Sequence, residues 1–156
     1  MATSGLFLMA RGPEMQRALS IAFAGREVRK RYVALVAGRM EQDEGRIDLP
    51  LIADWPNRPR QIVDAAGGKP STTLWRVLVR DEATGTTRVE LEPITGRSHQ
   101  LRVHLMAIGH AILGDSLYAA PDVAAAAPRL LLHAAQLTLP HPLEGRVLTL
   151  ESSVPF

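Results

Sequence analysis

Apolar residues recur at two periods along this chain of 156 residues. Between residues 14 and 23, Met15, Leu19 and Ala22 fall on one face at helical spacing. Pro13 suits the first helical position and Gly25 the C-cap. Leu101, Leu105 and Ile108 repeat the pattern in a second predicted helix over residues 97–108, opened by Thr95-Gly96 and ended by Gly109. The remaining apolar runs are shorter and read as strands: residues 5–10, 32–37 (stopped by Gly38), 47–52, 129–134, 136–139 and 146–150. Residues 72–79 and 87–91 form a predicted antiparallel pair around a turn at 81–85, and residues 141–145 turn the chain before its last strand. Residues 54–59 and 67–70 are rich in Pro and Gly and read as breaks. No repeat and no linker marks a second domain, so the pattern predicts one α+β domain over residues 1–156 with a mainly antiparallel sheet.

Composition narrows the setting more than the chemistry. With 46% hydrophobic and 22% charged residues the chain is of ordinary globular type, and with only 4% aromatics its core must be built mostly from Leu, Val, Ile and Ala. The absence of cysteine excludes a disulfide framework and a thiolate zinc site, and suits the cytosol without requiring it. Residues 1–5 have no basic region and the apolar stretch 6–10 is broken by Arg11, so neither a signal peptide nor a membrane span is expected. The net charge of +2 is too mild to establish a nucleic-acid partner. Only Lys30 and Lys69 are lysines, so sixteen of the 18 basic residues are arginine, whose planar fork suits phosphate and carboxylate. Codon usage in a GC-rich genome, to which the alanine run at 124–127 points, explains that bias equally well.

The candidate chemistry concentrates in ITGRSHQLRVH, residues 94–104, which puts Arg97, His99, Arg102 and His104 in the first turns of the second predicted helix. A helix N-terminus attracts anions, so arginines there oppose the helix dipole and call for a functional reason, although two solvated surface residues would look the same. His99 and His104 are five residues apart, whereas helical metal pairs stand four apart on one face, so the spacing counts against a metal. Tyr32 lies in the basic, then apolar, run KRYVALV at 30–36; it suits base stacking beside phosphates, and equally a strand tyrosine with its ring in the core.

Six segments in order resemble the RluA-type RNA pseudouridine synthases. KRYVA at 30–34 is similar to that family's K-x-Y-x-A, and ITGRSHQLRVH to its G-R-[ST]-H-Q-[IL]-R-x-H. GHAILGDSLY at 109–118 is similar to G-H-P-I-x-G-D-x-x-Y, with Ala111 in place of proline, and RLLLHA at 129–134 to [RL]-x-L-L-H-A. MATSGL at 1–6 is similar to the second half of H-R-L-D-x-x-T-S-G-L. LPLIADWPNRP at 49–59 further resembles the RluA branch itself, which modifies ribosomal and transfer RNA. The resemblance covers essentially the whole chain.

The resemblance implies a mixed, mainly antiparallel sheet with flanking helices, and isomerisation of uridine to pseudouridine without cofactor or metal. The target nucleotide is flipped into a pocket at a cost of roughly a few kcal/mol, where an essential aspartate acts as nucleophile or base. Arg102 matches the arginine that pairs with the aspartate, and Tyr32 the tyrosine that packs on the flipped base and helps shuttle a proton. Arg29, Lys30, Arg31, Arg97 and His99 become candidates for RNA contacts, mainly to phosphate. In the motif two residues separate the aspartate from the threonine matched by Thr3, and Met1 and Ala2 fill those places, so the aspartate would stand immediately before Met1; the arginine and histidine of the motif, and the domain's N-terminal strands, would precede it too. Asp115 is already matched by the family's G-D pair, and Asp43, Asp48, Asp54, Asp64, Asp81 and Asp122 do not fall where the motif wants the carboxylate. The 156 residues by themselves are therefore expected to be inactive. Either a reading frame was started at an internal methionine, or a genuine truncation leaves a non-catalytic RNA-binding remnant; the bare sheet edge and apolar surface of a remnant count against the second. A metal-dependent phosphoesterase built on His99, His104 and His110 is a third, weaker reading. The expected partner is structured RNA, a stem-loop of ribosomal or transfer RNA, met by a cytoplasmic monomer with no membrane association.

Overall fold

A computed structural model of the chain describes residues 2–156. Among the described residues are nine strands: β1 (Ser4–Gly5), β2 (Arg29–Ala37), β3 (Glu44–Asp48), β4 (Leu51–Ala53), β5 (Gln61–Val63), β6 (Thr72–Asp81), β7 (Thr86–Pro93), β8 (Leu132–Pro140) and β9 (Val147–Glu151). Three helices accompany them: α1 (Pro13–Ala24), α2 (Gln100–Ala107) and α3 (Pro121–Ala125). The main sheet runs β1-β8-β2-β7-β6-β3, with β9 also on β8, and only the β1–β8 pair is parallel. Strands β4 and β5 form a separate antiparallel hairpin, which packs against α2. The fold is thus α+β with a mainly antiparallel sheet. No helix among the described residues is long and apolar enough to cross a membrane.

Two apolar clusters hold this arrangement. The larger lies between the central strands and α2, with Ala34, Val36, Val89, Leu91, Leu101, Leu105 and Ile112 at its centre. Strand alternation supplies Ala34 and Val36 from β2 and Val89 and Leu91 from β7, while the four-residue step from Leu101 to Leu105 supplies one face of α2. The smaller cluster joins Leu19 and Ala22 of α1 to Leu137 and Leu139 of β8.

Both predicted helices are present, and the predicted pair at 72–91 is the β6–β7 hairpin. The predicted strand at 5–10 survives only as β1. From Gln136 onward β9 occupies that edge of β8, so the ladder has no room beyond Ala134, and the last bond is Leu6 N–H to Ala134 O at 3.0 Å. Leu6, Leu8 and Ala10 then alternate onto the α1 cluster while Phe7 and Met9 face solvent. Gly5 is required where β1 crosses β8, because a Cβ there would collide with the Ala134 backbone and its φ is +97°. The predicted strand at 47–52 is two strands, broken at Leu49-Pro50, and the predicted break at 54–59 is the tip of the β4–β5 hairpin, with a short 3-10 turn at Trp55–Asn57.

Candidate functional site

The segment 94–99 is a loop, not the first turn of a helix. His99 sits at φ 54°, in the left-handed region, and helical backbone begins only at Gln100. Gln100 explains why. Its buried amide oxygen accepts the Arg97 N–H (3.1 Å) and the Thr95 hydroxyl (2.7 Å), and its amide nitrogen donates to Thr72 O (2.9 Å) and Thr73 Oγ1 (3.0 Å). These bonds pin the loop and α2 to β6. Arg97 and His99 therefore precede the helix rather than lying in it, and the dipole argument applies to Arg102 alone.

Along α2 each polar side chain has a separate task. His104, buried, has Nδ1 2.9 Å from Thr73 Oγ1 and Nε2 2.9 Å from Leu49 O. Since Thr73 accepts from Gln100, its hydroxyl donates to Nδ1, and Nε2 carries the proton given to Leu49. Both ring nitrogens are committed, and His110 Nδ1 lies 2.9 Å from Ala37 O on another part of the fold. The histidines of the metal reading do not converge, and among the described residues no three His, Asp or Glu side chains could hold an ion together.

Arg102, one turn beyond His99, is buried. Its Nε donates to Asp115 Oδ2 at 2.8 Å and its Nη2 to Asp115 Oδ1 at 2.6 Å, a bidentate pair with Asp115 almost wholly enclosed. Asp115 Oδ1 also accepts the N–H groups of Leu117 and Tyr118 at 3.0 and 3.1 Å. The guanidinium lies 5.1 Å from the centre of the Tyr118 ring. Nη1 of Arg102 makes no hydrogen bond among the described residues. The arginine assigned by resemblance to the reacting aspartate is thus already held by another carboxylate, with one amino group left over.

Tyr118 ties His99 into the same network. Its hydroxyl accepts the Gln61 N–H at 2.9 Å and lies 2.7 Å from His99 Nδ1, so it donates its proton to that nitrogen. Burial, and then the Arg102 charge, lower the His99 pKa below that of a free imidazole, against a smaller pull from Asp115. His99 is accordingly a neutral ring with its proton on Nε2.

These groups surround a cleft of about 340 Å³, lined by Thr3, Lys30, Tyr32, Arg97, His99 and Arg102 among others, with Leu101 and Leu132 as apolar walls. Alternation along β2 sends Lys30 and Tyr32 into the cleft and Arg29 and Arg31 away from it. Arg29 is bound instead to Glu92 at 3.0 Å on the exposed side of the sheet. Burial raises the Tyr32 pKa, which keeps it a protonated phenol, and lowers that of Lys30. The Lys30 ammonium rests 5.6 Å from the Phe23 ring centre. Arg97, exposed at the rim, is anchored to Pro70 O at 3.3 Å. No Asp or Glu lines the cleft among the described residues. Five of the seven residues singled out in the sequence therefore meet here; Arg29 and Arg31 do not. Asp115, Tyr118 and Gln100 were not among them. The spacing Asp115-x-x-Tyr118 was visible, but not that this turn would lie across Arg102.

The cleft provides a half-buried phenol, a neutral imidazole, a fixed arginine and two further cations around apolar walls. That set suits a planar, polar ring attached to an anionic backbone. The sequence has known counterparts. Residues 1–107 match the profile of RNA pseudouridylate synthases. The dual-specificity RNA pseudouridine synthase RluA of Escherichia coli K12 is 52% identical over all 156 residues, which span 71% of that protein. RluA of Yersinia pestis is 55% identical over 142 residues, or 91% of this chain and 68% of that one. Among solved structures, human RNA pseudouridylate synthase domain containing 1 superposes with a TM-score of 0.79 at 28% identity, covering 93% of this chain. The match spans 62% of the human chain, less than two thirds of it. Human RNA pseudouridylate synthase domain containing 4, at 24% identity and a TM-score of 0.73, shares the fold. The chain belongs to the RNA pseudouridylate synthase family.

Proposed function

We propose that the Tyr32–Arg102 cleft receives a flipped uridine of RNA and forms one wall of a pseudouridine synthase site. The observation that carries the reading is the convergence of Thr3, of Tyr32, and of His99 with Arg102 on one cleft from three distant segments of the sequence. Tyr32 packs on the base and, staying protonated, serves as a hydrogen-bond donor. Lys30 and Arg97 hold the flanking phosphates. Arg102 orients the reacting carboxylate through Nη1, its other donors being fixed by Asp115. In the reaction the N-glycosidic bond breaks and the base rejoins the sugar through carbon, so atoms are conserved and no cofactor or metal is called for.

The carboxylate itself comes from the position three residues before Thr3, in the segment that the family motif puts ahead of Met1. Two observations support this: Thr3 lines the cleft, and among the described residues no Asp or Glu does. On this reading residues 1–156 are part of a catalytic domain and bind RNA without converting it. The substrate is a stem-loop of ribosomal or transfer RNA, in keeping with the dual specificity in the relatives' name, and the protein acts as a cytoplasmic monomer. Arg29 and Arg31, on the other side of β2, are left with at most a peripheral phosphate role. The test is a binding titration of labelled stem-loop RNA over a salt series, with nucleoside analysis of the product. Salt-sensitive binding that Tyr32→Ala and Arg97→Ala weaken, with no pseudouridine formed, is expected. Binding that is indifferent to both substitutions would remove the cleft from the account.

A further inference from the structure

The chain has two tryptophans, and the fold treats them oppositely. Trp75 is packed in the main core at 9% exposure, while Trp55 is 66% exposed at the tip of the β4–β5 hairpin. The guanidinium of Arg58 lies against the Trp55 ring, 4.6 Å from its centre. An indole is a large apolar surface to leave in water, and nothing in the core explains its position.

The hairpin tip is stiff. Asp54 N–H donates to Arg60 O (2.9 Å), Asn57 N–H to Asp54 O (3.0 Å) and Arg60 N–H to Asn57 O (3.1 Å). Pro56 and Pro59 restrict the turn further. Its carboxylates are used internally: Asp54 accepts the Asn57 side-chain amide, and Asp64 accepts the N–H groups of Ala66 and Gly67. What the tip offers outward is therefore an indole and a cation, on a frame that loses little freedom when something binds.

The tip is also registered to the cleft. Arg60 Nε donates to Leu117 O at 2.9 Å, with its guanidinium 5.9 Å from the Tyr118 ring centre. The next residue, Gln61, donates its N–H to the Tyr118 hydroxyl. Tyr118 is the residue that meets both His99 and Arg102, so one tyrosine fixes the hairpin against the cleft wall.

We infer that Trp55 and Arg58 form a second RNA contact, a stacking platform for an unpaired nucleotide flanking the one in the cleft. The indole takes the face of the base and the guanidinium the adjoining phosphate. An aromatic platform accepts any base, so its role is to select substrates with an unpaired nucleotide at the right distance, not to read sequence. The inference rests on the RNA reading of the cleft.

Because Trp75 is buried, fluorescence quenching on RNA addition reports Trp55. The test titrates the 156-residue chain with stem-loop RNA and with a fully paired duplex, following Trp emission and, separately, the anisotropy of labelled RNA. Stem-loop RNA should quench Trp55 and the duplex should not. Trp55→Ala should weaken stem-loop binding by about 5- to 150-fold, and Trp55→Phe should retain most of it. Arg58→Ala should lower the salt slope by about one. Stem-loop binding with Trp55 unquenched and Trp55→Ala at full affinity would overturn this inference while leaving the cleft reading intact. So would an effect of Trp55→Ala on self-association instead of on RNA. No RNA binding by the unaltered chain would overturn both.

Discussion

Asp115 is where a single side chain does most. It accepts two donors from Arg102 and two backbone N–H groups while almost completely enclosed. Removing one partner of such a pair strands the other charge, so Asp115→Ala should cost about 3–5 kcal/mol in urea unfolding. The double variant Arg102→Met/Asp115→Leu should recover most of that stability, since well-packed apolar residues replace buried pairs at little cost. It should not recover the function proposed for the cleft, since the guanidinium to which that proposal gives the orienting role is gone. Equal loss of stability in the single and double variants would contradict this division of roles. His99 and His104 make a second residue-scale prediction. Burial lowers both pKa values from the ordinary 6.5. Below that pH the unfolded chain binds protons that the folded chain refuses, so stability is full above it and falls as the pH drops. Urea midpoints should decline from about pH 7 to about pH 5, and His104→Gln should flatten the decline. A midpoint that rises on acidification would reverse the sign and reject the assignment of neutral rings.

At the scale of elements, the turn that carries Asp115 depends on Gly114. Its φ is +77°, and a Cβ there would overlap the Arg129 carbonyl. Gly114→Ala should destabilise by more than about 2 kcal/mol, from the strained backbone together with a clash that no side-chain movement relieves. A calorimetric scan showing an unchanged midpoint would mean the turn can relax. The same elements mark what the sequence conveys. Period and punctuation sufficed for α1, for the body of α2 and for the β6–β7 hairpin, because each obeys one local rule over eight or more residues. Where long-range partners decide, local rules fail. β1 stops because β9 claims the edge of β8, and α2 starts late because Gln100 binds Thr72 and Thr73 from β6. Helix α3, opened by Pro121, and strand β5, with three residues, are too short to display a period. At the site, Tyr32, Arg97, His99 and Arg102 were legible from motif resemblance. Arg29 and Arg31 were grouped with Lys30 as a basic cluster, which ignored the alternation that turns neighbours on a strand to opposite faces. That Asp115 would occupy the fork of Arg102 was hidden, since they are 13 residues apart and meet only in the folded chain.

For the whole molecule, the fold brings β2, the loop at 94–99 and α2 to one cleft, and Tyr118 ties the β4–β5 hairpin to its His99 wall. RNA engaged across both should bind with a salt dependence set by the number of phosphates neutralised. Arg97→Ala, at the rim and outside the core, should reduce the slope of log affinity against log salt by about one without altering the urea midpoint. On the reading proposed above, this cleft is a pseudouridine synthase site completed by a carboxylate from the position just ahead of Met1. That reading is tested most directly by measuring pseudouridine in stem-loop RNA after incubation with two proteins: the 156 residues alone, and the same residues joined to the segment of the Escherichia coli relative that precedes its match to Met1. The account predicts no product from the first and turnover from the second, abolished by Arg102→Ala. Turnover by the 156 residues alone, or none from a folded and RNA-binding fusion, would contradict it.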